Sequence, residues 1–407
     1  MYKKIISSEL GRGTIILFIT MNIFNVINFL FHFFMGRMLG PADYGVLAAL
    51  MSIVYIYNIP IEAIQTIIAK YTSKFNVKNE KGKMHYLISK SLKKGINAAL
   101  IIFVISSIFG IFLAEFLNIN FWLIFITNIF LFSSFINPVV KGVLQGRKKF
   151  GSFGFNLIFE GVLKLMFSIL LVAIGLKVFG AIIGVLLGMF LGILLSIYFN
   201  RDIIKTKQEQ TSFDGIYGKS MPYFMAMIVI YIALSMDIIL AKRFFSPEIA
   251  GQYAVLSMLG KIVFFGTMAI AKTMFPITSE RNERNEDCSK VFKKAIFIMT
   301  GLCLCSIIAY SLFPKLIVGI LYGSLYTSIS PYLVYSAIAL TFLSLTHLTL
   351  LYGLSTKGLR NSHLLIAFII LEISLLYMFH NNILEYILAF MASNIIMFLG
   401  SFLFLKK

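Results

Sequence analysis

Apolar runs of about 20 residues follow one another from end to end of the chain, separated by short segments carrying charge, glycine or proline. A helix rises about 1.5 Å per residue, so a run of that length matches the ~30 Å hydrocarbon core of a bilayer. Twelve spans are predicted, at 14–35, 46–69, 96–117, 120–140, 155–176, 178–199, 222–241, 251–273, 294–314, 331–354, 363–380 and 383–404. The expected fold is an all-α integral membrane protein. The first run follows Met1-Tyr2-Lys3-Lys4, exceeds a signal-peptide core in length and lacks a small-x-small cleavage pattern, so it is expected to remain as the first span.

Between the first two runs lies Gly36-Arg37-Met38-Leu39-Gly40-Pro41-Ala42-Asp43-Tyr44-Gly45, whose glycines and proline suit a sharp turn between helices. The segment has an echo. A shift of 206 positions superimposes Arg37 on Arg243, Pro41 on Pro247, Gly45 on Gly251, Ala48 on Ala254 and Leu50 on Leu256. The same shift places span 1 on span 7 and span 2 on span 8, so the chain reads as two six-helix halves. Six is even, which gives both halves one orientation, related by an axis along the membrane normal. The expected layout is residues 1–200, a connector at 201–220, and residues 221–407. In span 6, Gly180, Gly184, Gly188 and Gly192 recur every fourth residue and predict a smooth groove for a neighbouring helix.

Polar residues inside spans are costly, so they face a cavity or a partner. In span 1, Thr14, Asn22, Asn25, Asn28, His32 and Gly36 fall within about 120° of arc at 100° per residue. Span 2 carries Asn58, Glu62 and Gln65 on one face with Tyr55 and Thr66 at its edge, and Pro60 predicts a kink there. Span 5 opens with Asn156, Glu160 and Lys164 at helical spacing. Either Glu160 and Lys164 neutralise each other, or Lys164 faces an inward-opening cavity. Asp237 lies near the outer end of span 7. Lys261 stands at mid-depth in span 8, free to serve function or to pair with a carboxylate such as Asp237, whereas Lys272 can snorkel to the surface. Glu372 in span 11 has no sequence-near partner. His347, among Ser344, Thr346 and Thr349, reads as a hydrogen-bonded packing residue.

Composition agrees with the pattern: 59% of the 407 residues are hydrophobic, 13% are charged and the mean hydropathy is +0.90. The formal charge of +19 is a topology signal rather than a nucleic-acid surface. With the amino terminus inside, 28 of the 36 Lys and Arg fall on the inner side, eight of them at 70–94. Five fall outside (Arg37, Lys177, Lys242, Arg243 and Lys315) and three within spans, so both termini are expected to be cytoplasmic. Residues 70–95 read as a solvated or interfacial helix. The three cysteines give no disulfide framework or metal site. In Gly215-Ile216-Tyr217-Gly218-Lys219-Ser220 two residues separate the glycines where a phosphate loop needs four, which rejects a nucleotide site. With no catalytic motif and short outer loops, an enzyme is not expected.

Arg37-Met38-Leu39-Gly40-Pro41-Ala42-Asp43-Tyr44-Gly45 resembles the R-x-L-G-P-x-x-[YF]-G segment of bacterial polysaccharide transporters, the O-antigen (Wzx-type) flippases of the multidrug/oligosaccharidyl-lipid/polysaccharide exporter superfamily. Asp237 through Leu240, Gly251-Gln252-Tyr253-Ala254, Leu259-Gly260-Lys261 and Pro276 are similar to that family's markers around spans 7 and 8. The likeness covers the whole chain in span count and loop charge, and its distinctive motifs cover these two regions. It implies two six-helix bundles around a central cavity opening alternately to either side, in the bacterial cytoplasmic membrane. It also implies an undecaprenyl-diphosphate-linked oligosaccharide as cargo, for O-antigen, lipopolysaccharide or capsule synthesis, with membrane lipids and other polysaccharide-assembly membrane proteins as partners.

A diphosphate needs cations where water is scarce, and Lys261, Lys164 and Arg12 are candidates. Asn22, Asn25, Asn28, Gln65 and Tyr55 suit sugar hydroxyls and faces. Glu62 and Asp237 are candidates for a coupling proton or sodium ion, and no other cofactor is expected. An inside-negative potential alone favours outward movement of an anion by about 2.3 kcal/mol per charge per 100 mV. The alternatives are a drug exporter of the same superfamily, which predicts an anionic cavity, and a membrane polymerase or glycosyltransferase, which predicts a large outer loop.

Overall fold

The computed structural model describes residues 9–211 and 221–405, with side chains described from Ile16 onward except Phe18. The described residues are helical apart from turns and one bridge between Leu359 and Leu405. Nine helical segments among them are long and apolar enough to cross a membrane. Two of these, Ile19–Val77 and Phe150–Phe199, have 59 and 50 residues and room for two passes each, and Ser362–Met378 is a shorter apolar helix. The protein is therefore a multi-pass membrane protein, and the twelve runs read from the sequence all lie on helices.

Helix α1, Glu9–Tyr57, is interrupted at Gly40, whose φ of 72° and ψ of 173° belong to a region open almost only to glycine. Pro41 follows as the first residue of the resumed helix, where its missing N–H costs nothing. The second copy of the segment makes the same corner with different chemistry. Helix α9, Met221–Phe244, ends before Ser246, which caps α10, Pro247–Glu283, and Pro247 again opens the helix. A second break separates α1 from α2, Ile59–Val77, at Asn58 just before Pro60.

The described chain forms two compact units, one of Met1–Met38 with Tyr57–Lys219, the other of Leu39–Ile56 with Ser220–Lys407. The stretch of α1 after Gly40 thus belongs with the C-terminal helices. In the first unit follow α3 (Lys81–Leu117), α4 (Phe121–Asn128), α5 (Phe130–Gly146), α6 (Phe150–Leu171), α7 (Lys177–Phe199) and the short α8 (Arg201–Ile204). The basic stretch 70–94 is not one separate helix: α2 and α3 extend into it and turn between Val77 and Lys81, with Asn79 at φ 56°. Ile68, Phe75, Met84, Leu87, Ile88, Val139, Val143 and Ile203 form a core that ties α2, α3, α5 and α8 together. The apolar residues of α3 from Leu100 to Phe112 are largely exposed, as a lipid-facing helix requires.

Helices α6 and α7 pack through the glycine stripe. A Cβ on Gly188 would lie 2.7 Å from the Lys164 Cα, and one on Gly192 would lie 3.0 Å from the Glu160 Cβ. The groove expected in span 6 is therefore filled by the polar face of span 5, and it sets how deeply Glu160 and Lys164 sit.

The second unit contains α9 and α10, then α11 (Ser289–Leu312), α12 (Pro314–Tyr322), α13 (Leu333–Ser355), α14 (Ile366–Met378) and α15 (Ile383–Ser401). Helix α13 is enclosed along most of its length and packs on α10, where Ser336 donates to the Leu256 carbonyl at 2.9 Å. Tyr44, from the resumed part of α1, is fully buried against the rings of Tyr322 and Tyr326 at 5.8 and 6.3 Å.

Candidate functional site

Among the described residues each unit holds a buried cluster of charged groups, and the two differ in formal sign. In the first unit Glu160 is 7% exposed and its carboxylate is taken by Lys141 of α5, with Nζ–Oε2 at 2.7 Å. The reading of Glu160 and Lys164 as a self-neutralised pair is thereby corrected: the i+4 lysine loses to a lysine from another helix. Lys141 falls one residue beyond the predicted end of span 4 at 140, yet it lies on α5 and is 6% exposed. The sequence signal was present, since Lys141 is embedded in Pro138-Val139-Val140 and Gly142-Val143-Leu144.

Displaced from Glu160, the Lys164 ammonium donates to Asn28 Oδ1 at 2.7 Å and lies 4.3 Å from the centre of the Phe31 ring. Both partners are neutral. Lys164 is half-buried, and Asn22 and Asn25 stand exposed on the same face of α1 as Asn28. Two lysines thus face one acid, which leaves a cation available to an anion on a face lined with amides. Asn156 donates to the Gly192 carbonyl at 2.7 Å and secures α6 to α7.

Helix α2 uses its polar face against α5. Gln65 donates to Gln145 Oε1 at 2.9 Å, and Asn58 accepts from Ser134 at 3.4 Å. Glu62 is half-buried on the same helix. The Arg12 side chain and the segment Gly215–Ser220 lie outside the described residues.

In the second unit the markers Asp237, Tyr253 and Lys261 converge. Asp237 is fully buried, its carboxylate accepts from Ser257 and from Tyr253 at 3.4 Å, and its backbone carbonyl accepts from Tyr386 at 2.7 Å. The Lys261 ammonium sits 3.6 Å from Asp237 Oδ1 and 5.9 Å from the ring centre of Tyr55, which belongs to this unit. Glu372 of α14 is 1% exposed, with neither carboxylate oxygen hydrogen-bonded, and acts electrostatically on both Asp237 and Lys261. Two acids therefore share one lysine. Sequence reasoning marked Glu372 as unexplained because its neighbours are more than a hundred residues away, on α9 and α10. His347 is 4% exposed and packs its ring on Phe264 at 5.7 Å, as a packing residue would. Among the described residues no group of three or more His, Cys, Asp or Glu is placed to hold a metal ion.

Solved structures share this fold at low identity. An inward-facing multidrug resistance MATE family transporter of the MOP superfamily has a TM-score of 0.75 and 14% identity over 96% of this chain and 97% of its own. An outward-facing one has a TM-score of 0.68 and 16% identity over 98% and 96%. A MOP superfamily transporter from Pyrococcus furiosus, described as having a binding pocket of reversed polarity, has a TM-score of 0.65 and 16% identity over 98% and 96%. No curated protein matches the chain. The family described as polysaccharide biosynthesis protein matches residues 34–331, which is most of the chain and spans both repeat segments. The chain belongs to this polysaccharide biosynthesis protein family and carries it on the fold of MOP-superfamily transporters.

Proposed function

We propose that the protein is a flippase moving an undecaprenyl-diphosphate-linked oligosaccharide repeat unit across the cytoplasmic membrane by alternating access, for surface polysaccharide such as O-antigen or capsule. The observation that carries this reading is Lys164. Lys141 has taken Glu160, so the Lys164 charge rests against a neutral amide and a ring face. A diphosphate is the anion such a group would hold, and Asn22, Asn25 and Asn28 along the same helix face would take sugar hydroxyls. The orientation that fits the loop charges has both termini cytoplasmic. Membership of a polysaccharide biosynthesis protein family supports a cargo from polysaccharide synthesis.

The test is reconstitution in vesicles loaded with a lipid-diphosphate-linked oligosaccharide, with externally added glycosidase reading its arrival at the outer leaflet. Protein-dependent cleavage that drops with Lys164→Ala and survives Lys164→Arg is the expected result. Flipping unaffected by Lys164→Ala, or export of small cations with no movement of the lipid-linked sugar, would overturn the reading. The second outcome would favour the drug exporter.

A further inference from the structure

Helices α3 and α11 carry the same basic motif near their first residues. Ser89-Lys90-Ser91-Leu92-Lys93-Lys94 on α3 and Ser289-Lys290-Val291-Phe292-Lys293-Lys294 on α11 share four identities in six positions at an offset of 200 residues. The charges around the motif are not repeated. Residues 70–94 hold eight Lys and Arg against the single acid Glu80, whereas 276–294 hold five against Glu280, Glu283, Glu286 and Asp287. Membrane topology asks for a surplus of Lys and Arg beside a span and not for a spacing, so it leaves the repeated pattern unexplained.

Both helices look outward. Among the described spanning segments those of α3 and α11 are the least enclosed, with 11% and 22% of their most apolar stretch buried. Lys93, Lys94, Lys290, Lys293 and Lys294 are exposed, and Lys90 is partly so, its ammonium 5.4 Å from the Tyr86 ring centre. At 100° per residue the three lysines of α3 share about 100° of arc with the exposed Val104, Ile108 and Phe112. The equivalent face of α11 exposes Leu304, Ile308 and Leu312. Ten residues of helix, as from Lys94 to Val104, rise ~15 Å, the depth of the tails of one leaflet. A cationic head therefore stands over an apolar column, once in each unit.

We propose that each Ser-Lys-x-x-Lys-Lys motif binds the headgroup of an anionic phospholipid whose tails lie along the apolar column of the same helix. Lysines at i, i+3 and i+4 point the same way, so their ammonium groups can converge on the oxygens of one phosphate. A phosphatidylethanolamine headgroup brings its own ammonium into the cluster and is repelled. Continuity of the lysines with the lipid-facing column favours a lipid over a soluble acidic protein. The two sites differ in strength. Asp287 acts electrostatically on Lys290 and Lys293 and competes with a headgroup on α11, whereas Glu80, before α3, is taken by Lys83 at 2.7 Å. The α3 site is the tighter one. Neither site uses Lys164 or the amide face of α1, so both stand separately from the flippase reading.

The test is native mass spectrometry of the purified full-length protein, equilibrated in detergent with phosphatidylglycerol or phosphatidylethanolamine. Wild type should retain two phosphatidylglycerol molecules, one more firmly, and lose phosphatidylethanolamine. Lys90→Gln, Lys93→Gln and Lys94→Gln combined should weaken the firmer one on the order of 10- to 100-fold. The matching changes at Lys290, Lys293 and Lys294 should remove the other, and arginine at the three α3 positions should preserve binding. Lys70→Gln, Lys74→Gln and Lys78→Gln combined remove the same charge from the same stretch and should leave both lipids in place. Equal retention of phosphatidylethanolamine overturns the proposal, as does an equal loss in that control or binding unchanged by both motif variants. Displacement of phosphatidylglycerol from α3 by equimolar undecaprenyl diphosphate would assign the site to the carrier lipid and overturn it too. Should the first variant not fold, the preference between the two lipids and Lys93→Gln alone decide.

Discussion

Gly45 and Gly251 hold the same position in the two repeats, 206 residues apart, and they meet backbone to backbone, with a Cβ on Gly45 falling 2.9 Å from the Gly251 nitrogen. Equivalent positions touch where two copies of a motif cross about a shared axis. The contact lies within the second unit, because the part of α1 after Gly40 belongs there. A side chain at this crossing has nowhere to go, since the obstacles are main-chain atoms.

Gly251→Ala is therefore expected to destabilise the protein, by roughly the 1–3 kcal/mol of an overpacked core. Its Cβ would collide with the Pro41 carbonyl. Detergent-solubilised protein melting at the wild-type temperature would contradict the crossing.

Gly40→Ala should cost about 1–3 kcal/mol through backbone strain alone, since nothing lies within 4 Å of a Cβ there. The converse holds at the equivalent Ser246, whose φ of −57° admits any residue. Ser246→Ala should remove only a cap worth ~1 kcal/mol. Melting temperatures of the two variants compare them directly.

Lys164→Ala should lower transport roughly 10- to 150-fold, the equivalent of one charged hydrogen bond. Lys141→Met should produce a similar loss without touching Lys164, because the freed Glu160 would recruit the lysine one turn along its own helix. Adding Glu160→Gln to Lys141→Met should restore activity. A double variant as inactive as the single one would show that Lys141 acts in another way.

Gly188→Leu should abolish folded protein in the membrane, because its side chain would enter the Lys164 backbone. Gly151→Ala, with open space around it, is the control for a tolerated glycine substitution. Membrane abundance of tagged protein separates the two.

The Arg147–Asp202 ion pair anchors the start of the connector, together with the 2.6 Å contact of His85 Nδ1 with the Thr206 carbonyl. Partial burial pulls the Asp202 carboxyl up, but the Arg147 hydrogen bond and charge and the nearby Lys149 outweigh it and hold the group below its usual range. A lowered folded value means that the pair stabilises above the unfolded range and is lost as pH falls through the folded one. Asp202 is 40% exposed, so solvent screening limits the effect to under about 1 kcal/mol. Asp202→Asn should lower neutral stability by no more than that amount and flatten the acid limb of stability against pH, so that variant and wild type converge in acid.

The sequence disclosed most of what depends on local pattern. Run lengths gave the helices, Pro41 and Pro247 gave the repeated corner, and the four glycines of span 6 gave the groove that α6 fills. These are properties of neighbouring residues, and a period or a fixed φ reads directly from the chain. Pairings were less legible. Spacing left open whether Glu160 pairs with Lys164 four residues on or Lys164 faces a cavity, and Glu160 meets Lys141 on another helix, because buried ion pairs answer to distance in space rather than along the chain.

By itself, then, the sequence determined the membrane class, the duplicated corner and the residues rich enough in chemistry to matter. Tertiary structure decided the partners: that Lys164 meets Asn28, that Lys261 lies 3.6 Å from Asp237, that Glu372 stands buried with no hydrogen bond, and that Gly45 lies against Gly251. The reason is physical. Hydrophobicity and backbone preference act on each residue where it stands, whereas charge balance in a low-dielectric interior is settled by which helices pack together.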